Sequence, residues 1–168
     1  TATAFTNDTN ANGKIDRIEL QFSEPVNVTS AAGISVTGYA ITGSYSTFNV
    51  TNLSLSITEG VFDTNSTPLI GITTPTITDF SGNPLLQNIT PQDKARPILL
   101  AAKTNDTNLN GKIDVIVLNF SEPVDNNPAS LFSAQSGFSI AGYSGQSFTS
   151  PSSVLKNNTE LNTTPSSS

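Results

Sequence analysis

Along residues 17–22, apolar and polar side chains alternate without a break. Ile18, Leu20 and Phe22 fall on one side, and Arg17, Glu19 and Gln21 on the other. A period of two is the signature of a strand with one buried face. The pattern returns 98 residues later: Ile116, Leu118 and Phe120 keep the apolar face, while the opposite positions become Val115, Val117 and Asn119. Retaining one face and varying the other is what burial of that face requires. Shorter apolar runs predict further strands at 34–39, 45–50, 53–58, 70–79 and 84–89. Between the last two, "DFSGNP" (79–84) is turn chemistry, with Gly82 free to take positive φ and Asn83 restricted by the proline after it. About seven strands in some hundred residues predict a β-sandwich.

The second occurrence of the strand belongs to a longer repeat. "TNDTNANGKIDRIELQFSEPV" from Thr6 aligns without a gap with "TNDTNLNGKIDVIVLNFSEPV" from Thr104. The second copy then gains six residues around "NNPASLFSAQ" and rejoins the first, with "GFSIAGY" (137–143) answering "GISVTGY" (33–39). Two tandem modules follow, over 1–92 and 93–168. The short junction "TPQDKARP" (90–97), with two prolines and no Gly/Ser tract, predicts a semi-rigid joint. The tail beyond Ser150 is Ser/Thr/Asn-rich and weakly periodic, and predicts a disordered end. Nothing after Tyr143 matches "TPTITDFSGNPL", so the second module reads as incomplete. Exposed Ile116, Leu118 and Phe120 and an open sheet edge are the expected result. Completion by a segment of a neighbouring module or an identical subunit is one way to cover them.

Composition narrows the function classes. The 168 residues carry a net charge of −6, with no histidine, cysteine, methionine or tryptophan. Nucleic-acid binding and an electrostatic grip on anionic membranes are disfavoured by that charge. No apolar run reaches the roughly 18 residues of a membrane helix. Thiol, imidazole and disulfide chemistry have no residues to use. Ten of the 18 asparagines lie in N-x-[ST] sequons, which suits a glycosylated protein at the cell surface. A glycan on Asn7 or Asn105 would crowd the loop that follows it.

That loop is the main candidate for a site. In "DTNANGKID", the side chains of Asp8, Asn10 and Asn12 alternate, Gly13 allows a sharp turn, Lys14 offers its carbonyl and Asp16 closes the set. The order matches the first, third, fifth, sixth, seventh and ninth positions of an EF-hand calcium loop. The second copy supplies Asp106, Asn108, Asn110, Gly111, Lys112 and Asp114. An EF-hand's bidentate glutamate would fall on Glu19 in one copy and Val117 in the other, both on strands. With two carboxylates and two amides, a calcium dissociation constant of roughly 10⁻⁵ to 10⁻³ M is expected. The competing reading is that Asn, Asp and Gly merely make a good turn. Asp16 and Asp114 favour the metal, because an acid at the mouth of an apolar strand needs something to bind.

Other residues carry less. Glu24 and Glu122, in "SEP", repeat in both modules and read as turn or cap residues, not as catalytic acids. No second carboxylate pairs with them for glycoside chemistry, so no enzymatic activity is expected. Tyr39 and Tyr143 could stack on a sugar, but an aromatic packing against its own sheet is the simpler reading.

"FSEPV" after a strand, with "ITDFSGNPL" near the module's end, resembles the bacterial immunoglobulin-like repeats of surface proteins, particularly those of S-layers. The loops are also similar to those of dockerin modules. The resemblance implies tandem seven-stranded sandwiches serving as stalks, spacers or adhesin shafts. The expected function is thus a calcium-stabilised structural module of an extracellular protein in a surface layer, adhesin shaft or filament. A carbohydrate- or cell-wall-binding module using the loops at one end of the sandwich is the alternative.

Overall fold

The structure is a computed structural model that describes residues 1–124 and the backbone of residues 158–163. The fold is all-β, and the described residues contain no helix. The chain divides into two units, Thr1–Arg96 and Pro97–Ser168. The division falls after Arg96 because Gln92–Asp93 forms a strand that pairs with the start of the first unit.

In the first unit the larger sheet is built on β1 (Ala2–Asn7), β2 (Arg17–Val28) and β5 (Thr47–Ile57). The short strands β4 (Ile41–Thr42) and β9 (Gln92–Asp93) flank them. The order is β4-β5-β2-β1-β9, with β7 (Ile77–Thr78) pairing the far end of β2. A smaller sheet has β6 (Ile70–Ile72) between β3 (Ile34–Val36) and β8 (Gln87–Ile89). The register sets Thr6, Ala4 and Ala2 of β1 opposite Ile18, Leu20 and Phe22, and Leu55 and Leu53 of β5 opposite Ile18 and Leu20. These residues therefore share one face and join Ile34, Val36, Ile70, Ile72 and Ile77 in a single core. Ile18, Leu20, Leu55, Ile70 and Ile77 are fully buried, each stabilising the fold by about 1.5–3 kcal/mol.

Several sequence expectations are corrected here. Residues 45–50 and 53–58 do not form two strands; β5 runs unbroken from Thr47 to Ile57, and Asn49 takes φ 57° within it. Asparagine tolerates that left-handed geometry, so the strand runs through it without ending. The 70–79 run is two strands, β6 and β7. "SEP" is no turn either: Glu24 and Pro25 lie inside β2, where the pairing with β5 shifts register between Gln21 and Val26. An irregularity of this kind is where a strand accepts a proline, whose missing N–H would break a regular ladder.

The "DFSGNP" turn is held by one side chain. Asp79 Oδ1 accepts the backbone N–H groups of Ser81 and Asn83, both at 2.8 Å, and Oδ2 accepts Asn83 Nδ2 at 2.7 Å. The Asn83 side-chain bond, then its backbone N–H, holds the Asp79 carboxyl below its ordinary 3.8. A depressed folded-state pKa stabilises the fold above the unfolded value and loses that contribution as pH falls through the folded one. Asp79→Asn is expected to flatten part of the stability loss below pH 3.8, read as urea midpoints across an acid series.

Gly33 marks a second constrained point. Its φ is +81°, and a Cβ there would run into the Thr74 side chain, whose hydroxyl donates to the Ala32 carbonyl at 2.9 Å. Gly33→Ala combines left-handed strain of about 1–3 kcal/mol with displacement of Thr74. A fall of at least about 1 kcal/mol in unfolding free energy by urea titration is the expected outcome.

In the second unit, β11 (Val115–Val124) lies between β10 (Leu99–Asn105) and β12 (Asn158–Thr163). One expectation fails. Part of the tail is a strand, and it closes the edge of β11 that was expected to stay open, with Leu118 in register with Leu161 and Ile116 with Thr163. Ile116 and Leu118 are buried, at 8% and 7% exposure, packed with Ile113, Phe120 and Val124. The segment 137–143, with Tyr143, lies outside the described residues.

Candidate functional site

Each candidate loop connects the two antiparallel strands at the start of its unit. In the first, β1 ends at Asn7 and β2 begins at Arg17; in the second, β10 ends at Asn105 and β11 begins at Val115. The hairpin closes through Asp16 N–H to the Asn7 carbonyl and Asp114 N–H to the Asn105 carbonyl, both 3.0 Å. Ile15, 1% exposed, plugs the first loop into the core.

The hydrogen bonds inside the loop are the same in both copies. Asp8 Oδ2 accepts Gly13 N–H at 2.8 Å and Oδ1 accepts Asn12 N–H at 3.3 Å; Asp106 does the same for Gly111 and Asn110. The Asn10 and Asn12 side-chain oxygens accept the N–H groups of Asn12 and Lys14, and Asn108 and Asn110 repeat this with Asn110 and Lys112. Gly13 and Gly111 take φ of 90° and 83°, and Ala11 and Leu109 take 57° and 58°. Asp8, Asn10 and Asn12 are thus wrapped around one coil of backbone, as their spacing predicts.

Asp16 and Asp114 have a partner that the sequence reading missed. Both oxygens of Asp16 accept from Thr9, from its N–H at 3.0 Å and its hydroxyl at 2.6 Å. Thr107 does the same for Asp114, at 2.8 and 2.6 Å. These bonds, the Thr107 hydroxyl first, hold the Asp114 carboxyl below its ordinary range. An acid at the mouth of the strand is therefore accounted for inside the loop. The available signal was the threonine at the second loop position in both copies.

Glu59 is the other residue beyond reach of the sequence. It comes from the segment after β5, and its Oε1 accepts Asn10 Nδ2 and Asn12 Nδ2, both at 2.8 Å. Lys14 Nζ stands 3.8 Å from its Oε2 and 4.8 Å from the Phe62 ring centroid. Asp63 N–H donates to the Gly13 carbonyl at 3.0 Å. The first loop is thus braced by residues 59–63, with a third carboxylate beside its two asparagines. No local pattern links Glu59 to Asn10, because only the β2–β5 pairing brings them together.

Among the described residues no three acidic, histidine or cysteine side chains stand close enough together to hold a metal ion. The donor set is oxygen throughout, which suits a hard cation such as Ca²⁺. The accepting oxygens of Asp8, Asn10, Asn12 and Asp16 each have a second lone pair beyond the hydrogen bond.

No family model, curated protein or solved structure matches the chain.

The remaining candidates are placed as follows. Glu19 points outward from β2 and accepts Ser54 Oγ at 2.8 Å, away from the loop. The Tyr39 ring packs against the core and its hydroxyl donates to Ser66 Oγ at 3.2 Å. Among the described residues no helix is long and apolar enough to cross a membrane.

Proposed function

We propose that this chain is a structural part of an extracellular surface protein, a pair of immunoglobulin-like modules whose β1–β2-type loops take Ca²⁺. The supporting observation is the duplication of the whole loop: the same acids, amides, glycine and hydrogen bonds at the same strand junction of each unit. The outward residues of β2 and β11 differ between the copies, from Arg17 and Glu19 to Val115 and Val117, while the loops differ only in Ala11 against Leu109. The loop's own hydrogen bonds already use an oxygen of Asp8, Asn10, Asn12 and Asp16, and a cation would draw on the same set. Retention of every oxygen donor in both copies is compatible with a cation site, and the titration below separates that from a turn held by its own bonds.

The reading places the ions at the base of each sandwich, where they pin the first hairpin and stiffen a stalk. It assigns no catalysis to the chain. Calcium titration by calorimetry on the intact chain tests it, with two ions bound per chain in the range of roughly 10⁻⁵ to 10⁻³ M. Absence of saturable heat up to ten millimolar (about ten times the weakest of those constants) would refute the cation reading.

A further inference from the structure

Each candidate loop contains the pair Asn-Gly, at Asn12–Gly13 and at Asn110–Gly111. Asparagine in front of glycine is open to an internal reaction, because no Cβ shields the glycine nitrogen that attacks. On the attacking side the two loops are alike. Gly13 N–H donates to Asp8 Oδ2 at 2.8 Å, and Gly111 N–H to Asp106 Oδ2 at 2.7 Å. The side chain under attack is held differently. Asn12 is tied at both ends, its Oδ1 accepting Lys14 N–H at 3.0 Å and its Nδ2 donating to Glu59 Oε1 at 2.8 Å. Asn110 Oδ1 accepts Lys112 N–H at 2.9 Å, but its Nδ2 has no hydrogen-bond partner among the described residues. Asn12 is half-buried and Gly13 buried, whereas Asn110 and Gly111 are exposed.

The rest of the chain offers no carboxylate to take the place of Glu59. After Val124 the sequence has two acids, Asp125 and Glu160. Asp125 follows the end of β11 that lies farthest from the loop. Glu160 is in register with Asn119, the fourth residue after Val115, which is roughly 13 Å along the strand from the loop.

We propose that Asn110 is a site of spontaneous deamidation, and that Glu59 guards Asn12 against the same reaction. The Gly111 nitrogen attacks Asn110 Cγ, the Cγ–Nδ2 bond breaks, and ammonia leaves with the proton of the Gly111 N–H. Water then opens the cyclic imide at either carbonyl, leaving an aspartate or an isoaspartate at position 110. Ring closure turns the side-chain amide toward the following nitrogen, so the amide must first give up its bonds to neighbours. A hydrogen bond to a carboxylate is the strong kind, and of the two amide nitrogens only that of Asn12 has one to lose. The new carboxylate gives the second loop a third acid, as Glu59 does for the first. The reaction needs no cation, so the proposal stands or falls separately from the calcium reading.

The full chain is kept in warm, mildly alkaline buffer with chelator and sampled by isoelectric focusing and by the masses of its two loop peptides. Asn110 should convert at least about tenfold faster than Asn12, the factor that one hydrogen bond to a charged group is worth. In urea, where neither loop is formed, the two rates should coincide. Glu59→Ala should bring Asn12 up to the rate of Asn110, with amide protection in β1 and β2 retained. Asn110→Gln, whose longer side chain closes the ring slowly, should abolish the early acidic shift of the folded chain. Equal rates in the folded chain, a difference that persists in urea, or an Asn12 unmoved by Glu59→Ala would each overturn the proposal. A rise at Asn12 that comes only with lost protection in β1 and β2 would overturn the role of Glu59.

Discussion

Leu20→Ala is expected to lower the stability of the first unit by about 2–5 kcal/mol, as full truncation of a buried leucine does. Leu20 is 0% exposed and sits at the centre of β2, between Ala4 on β1 and Leu53 on β5. Ala4 is too small to fill the void, and both flanking strands are held by ladders on either side, so the site collapses poorly. A domain of this size has about 5–15 kcal/mol in total, and the substitution therefore removes a large share of it. Leu118→Ala, at the matching position of the second unit, should cost less. Leu118 is 7% exposed, and among the described residues its buried cluster contains only one other residue, Ile116. Urea unfolding followed by amide signals from each unit separates the two. Equal losses would mean that the second unit is as well packed as the first.

Millimolar calcium should raise the melting temperature, and chelator should reverse it. At free calcium one hundred times the dissociation constant, each site gains about 2.7 kcal/mol. For a unit of this size that is on the order of 10 °C. Asp8→Ala should remove the first unit's share and Asp106→Ala the second's. Asp8 also accepts two backbone N–H groups without any ion, so its loss costs about 1 kcal/mol even in chelator. The diagnostic quantity is therefore the difference of differences, the effect of the substitution with calcium minus its effect without. A value near zero would leave the loop as a self-satisfied turn. Glu59 adds an internal comparison, since Glu59→Gln should weaken calcium binding at the first loop and leave the second unchanged.

Much of this protein was legible from its own residues. The alternation of Ile18, Leu20 and Phe22 marked both the central strand and its buried face, because a pleated backbone turns every second side chain the same way. The repeat located two units, and the spacing of Asp8, Asn10, Asn12 and Gly13 located a coiled loop, since such turns are made by neighbours in sequence. What remained hidden depends on partners far along the chain. Pro25 reads as the end of a strand until the register shift opposite it on β5 is known. The short strands β4 and β9 carry almost no pattern of their own, and exist because Ile57 and Thr6 offer them an edge. Ile116 and Leu118 were expected to be exposed, yet they are buried, and the tail of low periodicity supplies the strand beside them. Glu59 lies beside Asn10 only through a strand pairing 35 residues long in sequence, between Glu19 and Ser54. Local periodicity determined which residues form strands and loops; tertiary pairing decided which edges are covered and which carboxylate faces the loop, because those contacts are made by backbones that sequence neighbours do not describe.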